Sequence, residues 1–329
     1  MTMLFVRHIF AAGFSFLFGF YLMPAIIKSS FKLGIMDIPD GKIKCHGVPI
    51  PYLGGLAIYL SFIATLCLVY PFENQVLWLL LGSTLLLLIG MIDDLKVLRP
   101  GQKFLGQIVA VVCFLKGGFW LKTEFMTSFV NLFLSGFWML SLINAFNLVD
   151  VMDGLAASIA IVAASSFLII TLIFQQYAIS LLLAAFLGAV LAFFFYNKPP
   201  AKIYMGDAGS MFLGGFLSAI PLLISWSSHS FNAYYTPIAI LAVPLLEIFF
   251  LVIIRTWIGI PFYRGSPHHF SIYLQKKGWS KNKVLIFTSL MAVIFSAVGF
   301  LFLFELINLI GLFLLLVFLF FVWTYFIFV

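Results

Sequence analysis

Long apolar segments separated by short polar connections run along the whole chain. Eleven of them are predicted as spans, near residues 5–28, 51–70, 76–92, 104–120, 128–147, 155–174, 177–196, 208–226, 236–257, 284–303 and 307–329. A helix of about 20 residues crosses a hydrocarbon core of roughly 30 Å. Because no water reaches that depth, such a segment must satisfy its own backbone groups, as an α-helix does. The pattern therefore predicts an all-α polytopic membrane protein with about eleven transmembrane helices and a single domain over residues 1–329.

Composition excludes a water-soluble fold. Hydrophobic residues make up 64% of the chain and charged residues 9%, against roughly 45–50% and about 25% in soluble domains. The net charge of +7 could suggest nucleic acid, but the cations lie in short loops between spans, so topology explains them better. Cys45, Cys67 and Cys113 lack the paired spacing of a disulfide framework or a zinc site.

The distribution of charge predicts an orientation with the N-terminus outside. With alternating spans, 15 Lys and Arg residues fall on the inner side and only Arg7, Lys116 and Lys122 on the outer side, as the positive-inside rule requires. All seven aspartates also fall inside. Acids contribute little to orientation, so carboxylates clustered among cations predict a catalytic site at the cytoplasmic face.

The third predicted span ends in the carboxylate pair Asp93 and Asp94. Neighbouring helical residues point about 100° apart, so one carboxylate could hold a metal while the other contacts a different group. The alternative interpretation is a helix end that meets water.

At the end of the fifth span, polar residues recur at every third position: Asn144, Asn147, Asp150 and Asp153. This spacing predicts that all four line one side of the inner helix end. Amide and carboxylate oxygens without thiols or imidazoles suit a hard cation such as Mg²⁺. The alternative is a stripe of hydrogen bonds between helices.

Asp207 precedes the eighth span, between Gly206 and Gly209. The small glycines would let a phosphate approach the first amides of the helix. A plain N-cap role for Asp207 is the alternative.

Cationic and imidazole side chains surround these acids. The candidate substrate-binding residues among them are Lys42, Lys44 and His46 in the first inner loop, Lys103 after the aspartate pair, and Arg264, His268 and His269 in the last inner loop. Acids for a metal beside cations for phosphate oxygens are typical of phosphoryl transfer. The positive-inside rule explains most of these cations singly, but not their alternation with the acids.

The motifs resemble one family in order and spacing. They comprise Asp37-Ile38-Pro39 with Lys42, Lys44, His46 and Pro49 to Gly55; Gly90, Asp93, Asp94, Leu95, Lys103 and Gln107; Asn144, Asn147, Asp150, Asp153 and Gly154 to Ala156; and Pro200, Ala201, Met205 to Asp207, Gly209 and Ser210. The chain resembles the polyprenyl-phosphate N-acetylhexosamine-1-phosphate transferases of glycosyltransferase family 4. That family includes enzymes that start O-antigen, enterobacterial common antigen and teichoic acid linkage units, with phospho-N-acetylmuramoyl-pentapeptide transferases as more distant relatives.

The resemblance implies a reaction between a UDP-sugar and polyprenyl (undecaprenyl) phosphate in the cytoplasmic membrane of a bacterium. The lipid phosphate attacks the β-phosphorus and UMP leaves. Mg²⁺, or Mn²⁺ in its place, neutralises the pyrophosphate, with Asp94, Asp207 and Asn147 as the expected metal contacts. Asp93 would position or deprotonate the lipid phosphate, while Asp150 and Asp153 help to organise nucleotide and metal. The substrate-binding residues would be Lys42, Lys44, His46, Lys103, Asn144, Asn147, Arg264, His268 and His269.

Three positions depart from the family pattern, and the last of them lies in the loop that the family uses for sugar recognition. Val151 stands where the family usually has Gly, Glu247 stands where it often has Asp, and the His-x-His-His element is reduced to His268 and His269. N-acetylglucosamine is the expected sugar, with a 6-deoxy or fucose-type N-acetyl sugar as the alternative. Membrane lipids are expected neighbours, nucleic acid is not an expected partner, and a homodimer is left open. A transporter and a non-catalytic scaffold of the same fold are the competing functions.

Overall fold

The computed structural model describes residues 2–37, 49–226, 232–261 and 266–328. Within these ranges the chain forms thirteen α-helices and two short strands. The helices are α1 (Thr2–Leu33), α2 (Gly54–Val69), α3 (Asn74–Leu95), α4 (Pro100–Lys116), α5 (Ser128–Val149), α6 (Leu155–Ile173), α7 (Tyr177–Asn197), α8 (Gly206–Ala219), α9 (Thr236–Ile240), α10 (Ala242–Trp257), α11 (Phe270–Lys276), α12 (Lys281–Leu303) and α13 (Leu309–Phe328). The strands β1 (Met36–Asp37) and β2 (Ile50–Pro51) pair antiparallel on either side of the first inner loop.

The predicted helical membrane architecture is confirmed, since each of the eleven predicted spans coincides with one or two of these helices. Eight helices among the described residues are long and apolar enough to cross a membrane. A ninth span results if Ala233–Ile240 and Ala242–Trp257, which are bent by 67° at their junction, count as one. Because α2 has only 16 residues and α4 only 17, the count of eleven stays a prediction, as does the orientation.

Helix α8 lies at the centre of the fold. It packs against α2, α3 and α5, and every residue from Ala208 to Ala219 is buried. Gly90 lets α3 touch α8 backbone to backbone, because a Cβ at Gly90 would lie 2.3 Å from the Ala208 nitrogen. Asp94, one helical turn after Gly90, is thereby brought to the N-terminus of α8.

The segment that follows the first inner loop is tied to the residues just before Asp207. The Tyr204 amide donates to the Pro51 carbonyl at 2.7 Å, and the Gly54 amide donates to the Tyr204 carbonyl at 2.9 Å. The Gly55 amide donates to the Met205 carbonyl at 2.9 Å. Two motifs that lie about 150 residues apart in the chain therefore share one backbone hydrogen-bond network.

The predicted stripe of four polar residues on the fifth helix is wrong for its last member. Helix α5 ends at Val149, and Asp150 is its C-cap residue. The chain then turns, and Gly154 has a φ of +75°, a left-handed conformation that glycine adopts without steric cost and that cannot continue a right-handed helix. Asp153 therefore lies in a turn and not on the helix face of Asn144 and Asn147.

Candidate active site

The Lys103 ammonium group lies among three side-chain oxygens that come from three different helices. It donates to Asp93 Oδ2 at 2.8 Å, to Asp207 Oδ2 at 2.5 Å and to Asn147 Oδ1 at 3.2 Å. The side chains of Lys103 and Asp93 are only 17% and 11% exposed, and that of Asp207 is 33% exposed. We call these four residues the charged cluster.

Further hydrogen bonds fix the acids of the charged cluster. Asn147 Nδ2 donates to Asp207 Oδ1 at 2.8 Å and to Ser210 Oγ at 3.0 Å. The Leu98 amide, in the turn between α3 and α4, donates to Asp93 Oδ1 at 2.6 Å. Each carboxylate thus has one oxygen held by the protein frame and the other directed at the ammonium group.

Asp94 takes the helix-capping position that the sequence suggested for Asp207. Its Oδ1 accepts from the Asp207 amide at 2.8 Å, and its Oδ2 accepts from the Ala208 amide at 3.2 Å. A carboxylate is favourable at the positive end of a helix. Gly206 is required at this contact, since its φ is +73° and a Cβ there would lie 2.6 Å from Asp94 Oδ2. The Asp207 side chain is thereby left for the charged cluster.

One helical turn deeper, Gln107 on α4 and Asn144 on α5 form a neutral pair. Asn144 Nδ2 donates to Gln107 Oε1 at 2.9 Å and to the Leu140 carbonyl at 2.8 Å. Gln107 Nε2 donates to Asn144 Oδ1 at 3.3 Å, and Gln107 is only 1% exposed. These contacts favour an interhelical role for Asn144, whose predicted contact with substrate stays a prediction.

Asp150 caps the end of α5, where its amide donates to the Phe146 carbonyl at 3.2 Å, and its carboxylate has no hydrogen-bond partner among the described residues. Burial, followed by the negative charges of Asp207, Asp94 and Asp153, raises the pKa of Asp150 to about 8. A bound cation would favour the ionised form of such a group.

Asp153 is buried, at 5% exposure, and connects three parts of the fold. Its Oδ2 accepts from Lys281 Nζ at 3.0 Å, at the start of α12, and from the Ala201 amide at 3.3 Å. The turn that carries it is held by Asn197 Oδ1, which accepts from the Gly154 amide at 2.9 Å. Asp153 therefore has a clear positioning contact, and its predicted part in chemistry stays a prediction.

The histidines of the last inner loop have different surroundings. His269 Nδ1 lies 2.9 Å from Oε1 of the fully buried Glu247 on α10, so Glu247 fixes the orientation of the imidazole. Burial, together with the nearby charges of Lys276, Arg255 and His269, lowers the pKa of His268. Lys42, Lys44, His46 and Arg264 lie outside the described residues, so their predicted roles stay predictions.

Comparison with known proteins places the chain in a family. The model of glycosyl transferase family 4 matches residues 76–225, the stretch that contains the whole charged cluster. A phospho-N-acetylmuramoyl-pentapeptide-transferase of Bacillus cytotoxicus is 31% identical over 305 residues, covering 84% of this chain and 91% of that protein. The chain belongs to glycosyl transferase family 4.

A second relative within family 4 carries a different name. It is a probable undecaprenyl-phosphate N-acetylglucosaminyl 1-phosphate transferase of Bacillus subtilis, 29% identical over 301 residues, which cover 88% of this chain and 84% of that protein. Both relatives are named as transferases, and the predicted family is confirmed.

The charged cluster fits a divalent cation of the kind predicted for this family 4 chain. Two carboxylates and an amide oxygen converge on one position, which the Lys103 ammonium group occupies. We call this ammonium group the stand-in cation, because it lies where a divalent cation would bind. No group of three acids, histidines or cysteines able to share an ion occurs among the described residues. Mg²⁺ typically binds one or two carboxylates and completes its shell with substrate phosphates and water, so two carboxylates suffice.

Asp93, which the family resemblance assigned to the lipid phosphate, lies at the position of the stand-in cation. Asp93, and not Asp94, is the partner of Asp207 at the stand-in cation. Each oxygen of Asp94 keeps a second lone pair beyond its amide bond, so the predicted metal contact of Asp94 stays a prediction.

Sequence reasoning gave no role to Lys281, no partner to Glu247, and to Gly206 only the approach of a phosphate and not the contact with Asp94. The signal for Gly206 was its place beside Asp207 in the motif, and for Glu247 its cost inside an apolar helix. Nothing in the sequence pairs Lys281 with Asp153, because 128 positions separate them.

Proposed function

We propose that this chain transfers a sugar-1-phosphate from a UDP-linked N-acetylhexosamine, N-acetylglucosamine in the first instance, to polyprenyl phosphate at the cytoplasmic face of a bacterial membrane. The observation that carries the proposal is the charged cluster, in which Lys103, Asn147, Asp93 and Asp207 converge at helix ends. The name of the Bacillus subtilis relative, an undecaprenyl-phosphate N-acetylglucosaminyl 1-phosphate transferase, supports this reaction, and the Bacillus cytotoxicus relative is named for the transfer of a different phospho-sugar group. Transporters tend to carry binding residues on broken helices near the midplane, whereas these groups lie where helices begin or end.

The proposed chemistry is an exchange of one phosphorus–oxygen bond for another. An oxygen of the lipid phosphate forms a bond to the β-phosphorus, the bond from that phosphorus to the bridging oxygen breaks, and UMP leaves with the electron pair. Catalysis of such a step relies on positioning and on stabilising negative charge, because the protein has little covalent chemistry to perform.

The side chains of the cluster supply these two requirements. Lys103 brings three N–H donors for the phosphate oxygens on which charge accumulates. Asp93, at the end of α3, is the nearest carboxylate to Lys103 besides Asp207 and would orient the lipid phosphate or take up its proton. Asn147 holds Asp207 through a 2.8 Å hydrogen bond, so the acid keeps its direction during the reaction.

A divalent cation is part of the proposal. Mg²⁺ or Mn²⁺, when bound, neutralises the pyrophosphate and makes UMP a better leaving group. Asp93, Asp207 and Asn147 would hold it. Asp150, whose pKa is raised by burial and by the charges of Asp207, Asp94 and Asp153, would add negative charge to the site when the bound cation favours its ionised form.

The test is to identify the lipid product. Membranes from cells that produce the protein are incubated with radiolabelled undecaprenyl phosphate, Mg²⁺ and one UDP-sugar at a time, including UDP-N-acetylglucosamine and a UDP-linked 6-deoxy N-acetyl sugar. We expect a sugar pyrophosphate lipid and stoichiometric UMP with one of them. A lipid that stays unmodified with every UDP-sugar contradicts the proposal.

Two controls make the result specific. Membranes with equal amounts of the Asp207→Asn protein report the background from other transferases. Excess EDTA tests the cation, since we expect it to abolish turnover and added Mg²⁺ to restore it. Full activity in EDTA would remove the metal from the mechanism.

A further inference from the structure

The Lys103 ammonium group cannot bind the three oxygens of the charged cluster and a substrate phosphate at the same time. All three of its N–H donors are used by Asp93, Asp207 and Asn147, at 2.8, 2.5 and 3.2 Å. In this arrangement no donor remains for a phosphate. The same three oxygens are those that would hold the divalent cation.

Two cations cannot share this position. A divalent ion would bind these oxygens at about 2.0–2.1 Å, inside the space that the ammonium group fills at 2.5–2.8 Å. At such separations the repulsion between like charges is strong in a partly buried site. The ammonium group must therefore leave before the metal can take up its full set of ligands.

The side chain is able to leave. Lys103 lies in the first turns of α4, on a flexible four-carbon stem, and 17% of its side chain is exposed. The N-terminus of a helix disfavours a cation and favours an anion. Without an anion nearby, Asp93, Asp207 and Asn147 are the groups that hold the ammonium group in place. A phosphate at that helix end is an alternative partner.

We propose that Lys103 holds the place of the divalent cation between Asp93 and Asp207 and moves to the substrate pyrophosphate when metal and nucleotide bind. This inference rests on the proposed function for the identity of the anion, but not for the competition between ammonium group and metal. It follows that the substrate-free protein binds metal weakly. By linkage, metal and nucleotide each raise the affinity for the other by the same factor.

The test measures Mn²⁺ binding to purified protein in detergent without nucleotide, by electron paramagnetic resonance. We compare wild type with Lys103→Met, which keeps an unbranched side chain one atom shorter and removes its charge. Loss of the competitor should tighten Mn²⁺ binding at least about tenfold, the lower end of what neighbouring groups contribute to metal affinity. The same variant should lose transferase activity, because its pyrophosphate contact is gone.

Lys281→Met is the matched control. It also removes one positive charge beside an acid of this region, since Lys281 Nζ lies 3.0 Å from Asp153 Oδ2, but it leaves the charged cluster intact. We expect Mn²⁺ affinity within about threefold of wild type, well below the effect at Lys103. If Lys281→Met tightens Mn²⁺ as much as Lys103→Met does, general electrostatics explains the result and the place-holding role is overturned.

A second measurement, of the melting temperature, uses the variant Lys103→Gln in case Lys103→Met is difficult to purify. In Lys103→Gln, Mn²⁺ should raise the melting temperature more than it does in wild type, because only the variant lacks an internal cation. Unchanged or weaker Mn²⁺ binding in both Lys103 variants overturns the proposal. Tighter Mn²⁺ binding with no sugar-phosphate transfer by the wild type would support the place-holding role while contradicting the proposed function.

Discussion

Helices α4 and α5 meet in two polar layers that lie one helical turn apart and differ in kind. In the outermost layer Lys103 and Asn147 belong to the charged cluster, with Asp93 and Asp207. In the deeper layer Gln107 and Asn144 exchange two amide hydrogen bonds. The first layer contains partly exposed ions, whereas the second is neutral and buried.

The difference shows how a single polar stripe along a helix serves two purposes. The amide pair satisfies its own donors and acceptors, so it can remain at membrane depth at little cost. The charged cluster has a cation surrounded by acids and lies at the ends of the helices, where its side chains are partly exposed. Whether a polar residue of the stripe belongs to the candidate site or to the contact between helices depends on how far it lies from the helix end, and not on its residue type alone.

The largest predicted effect concerns Asp207. Asp207→Asn keeps the shape of the side chain but removes a charge from the cation position, so electrostatic stabilisation of the transition state is lost. We expect the rate per molecule of protein to fall by at least about 100-fold. The measurement is the initial rate of lipid product formation, with protein amounts determined in the same membranes.

Glu124→Gln is the control, because Glu124 is an exposed acid distant in the chain from every motif. It should retain nearly wild-type activity. An Asp207→Asn protein that is well expressed and runs within about threefold of wild type would contradict the catalytic assignment, since loss of an electrostatic contact of this kind normally costs far more.

The next prediction sets the two asparagines of α5 against each other. Asn147→Ala should lower the rate on the order of 10-fold or more, because Asp207 and Ser210 lose their hydrogen-bond donor. Asn144→Ala should leave KM and kcat within about threefold but reduce stability, since an interhelical hydrogen bond in a membrane contributes about 0.6 and at most about 1.7 kcal/mol. Kinetics and melting temperature are measured on the same preparations.

The opposite pattern is informative as well. If Asn144→Ala raises KM for the UDP-sugar on the order of 10-fold while the melting temperature is unchanged, Asn144 contacts substrate as the family resemblance implies, and the amide layer is part of the binding site.

The positions of the helices followed from the sequence because each long apolar segment has one solution in a membrane. The three acidic motifs were likewise identified from local spacing, and Lys103 from its place among them. The hydrogen-bond partners of these residues could not be predicted from local spacing. Asp94 caps a helix that begins 112 residues later, at Gly206, and this contact depends on the close approach of α3 to α8 at Gly90.

The division of roles between Asp93 and Asp94 shows the same limit. Helical geometry predicted that neighbouring carboxylates face different groups, but not which of them faces the cation. That choice is set by where the N-terminus of α8 lies, which is a property of the packing. The end of α5 before Asp153 was missed for a related reason, since the period-three spacing continued past Val149 into the turn that ends at Gly154.

The smallest predicted effect is a difference in how the two layers respond to pH. The amide layer does not titrate, whereas the pKa of Asp150, beside the charged cluster, is raised from the ordinary 3.8 to about 8. Between these values the folded protein binds more protons than the unfolded chain, so this group makes stability fall as pH rises through the window from about 4 to about 8.

In EDTA, the melting temperature of wild type should therefore drop more steeply between about pH 5 and about pH 8 than that of Asp150→Asn, by a few degrees. Mn²⁺ should reduce the difference, because a cation near the acids favours the ionised carboxylate. The substitution also removes the Asp150 charge from the surroundings of Asp207, Asp94 and Asp153. The gap between the two curves therefore measures the Asp150 carboxylate together with its effect on these neighbours. Parallel curves would show that neither burial nor the charges of Asp207, Asp94 and Asp153 raises the pKa of Asp150, and would contradict the prediction.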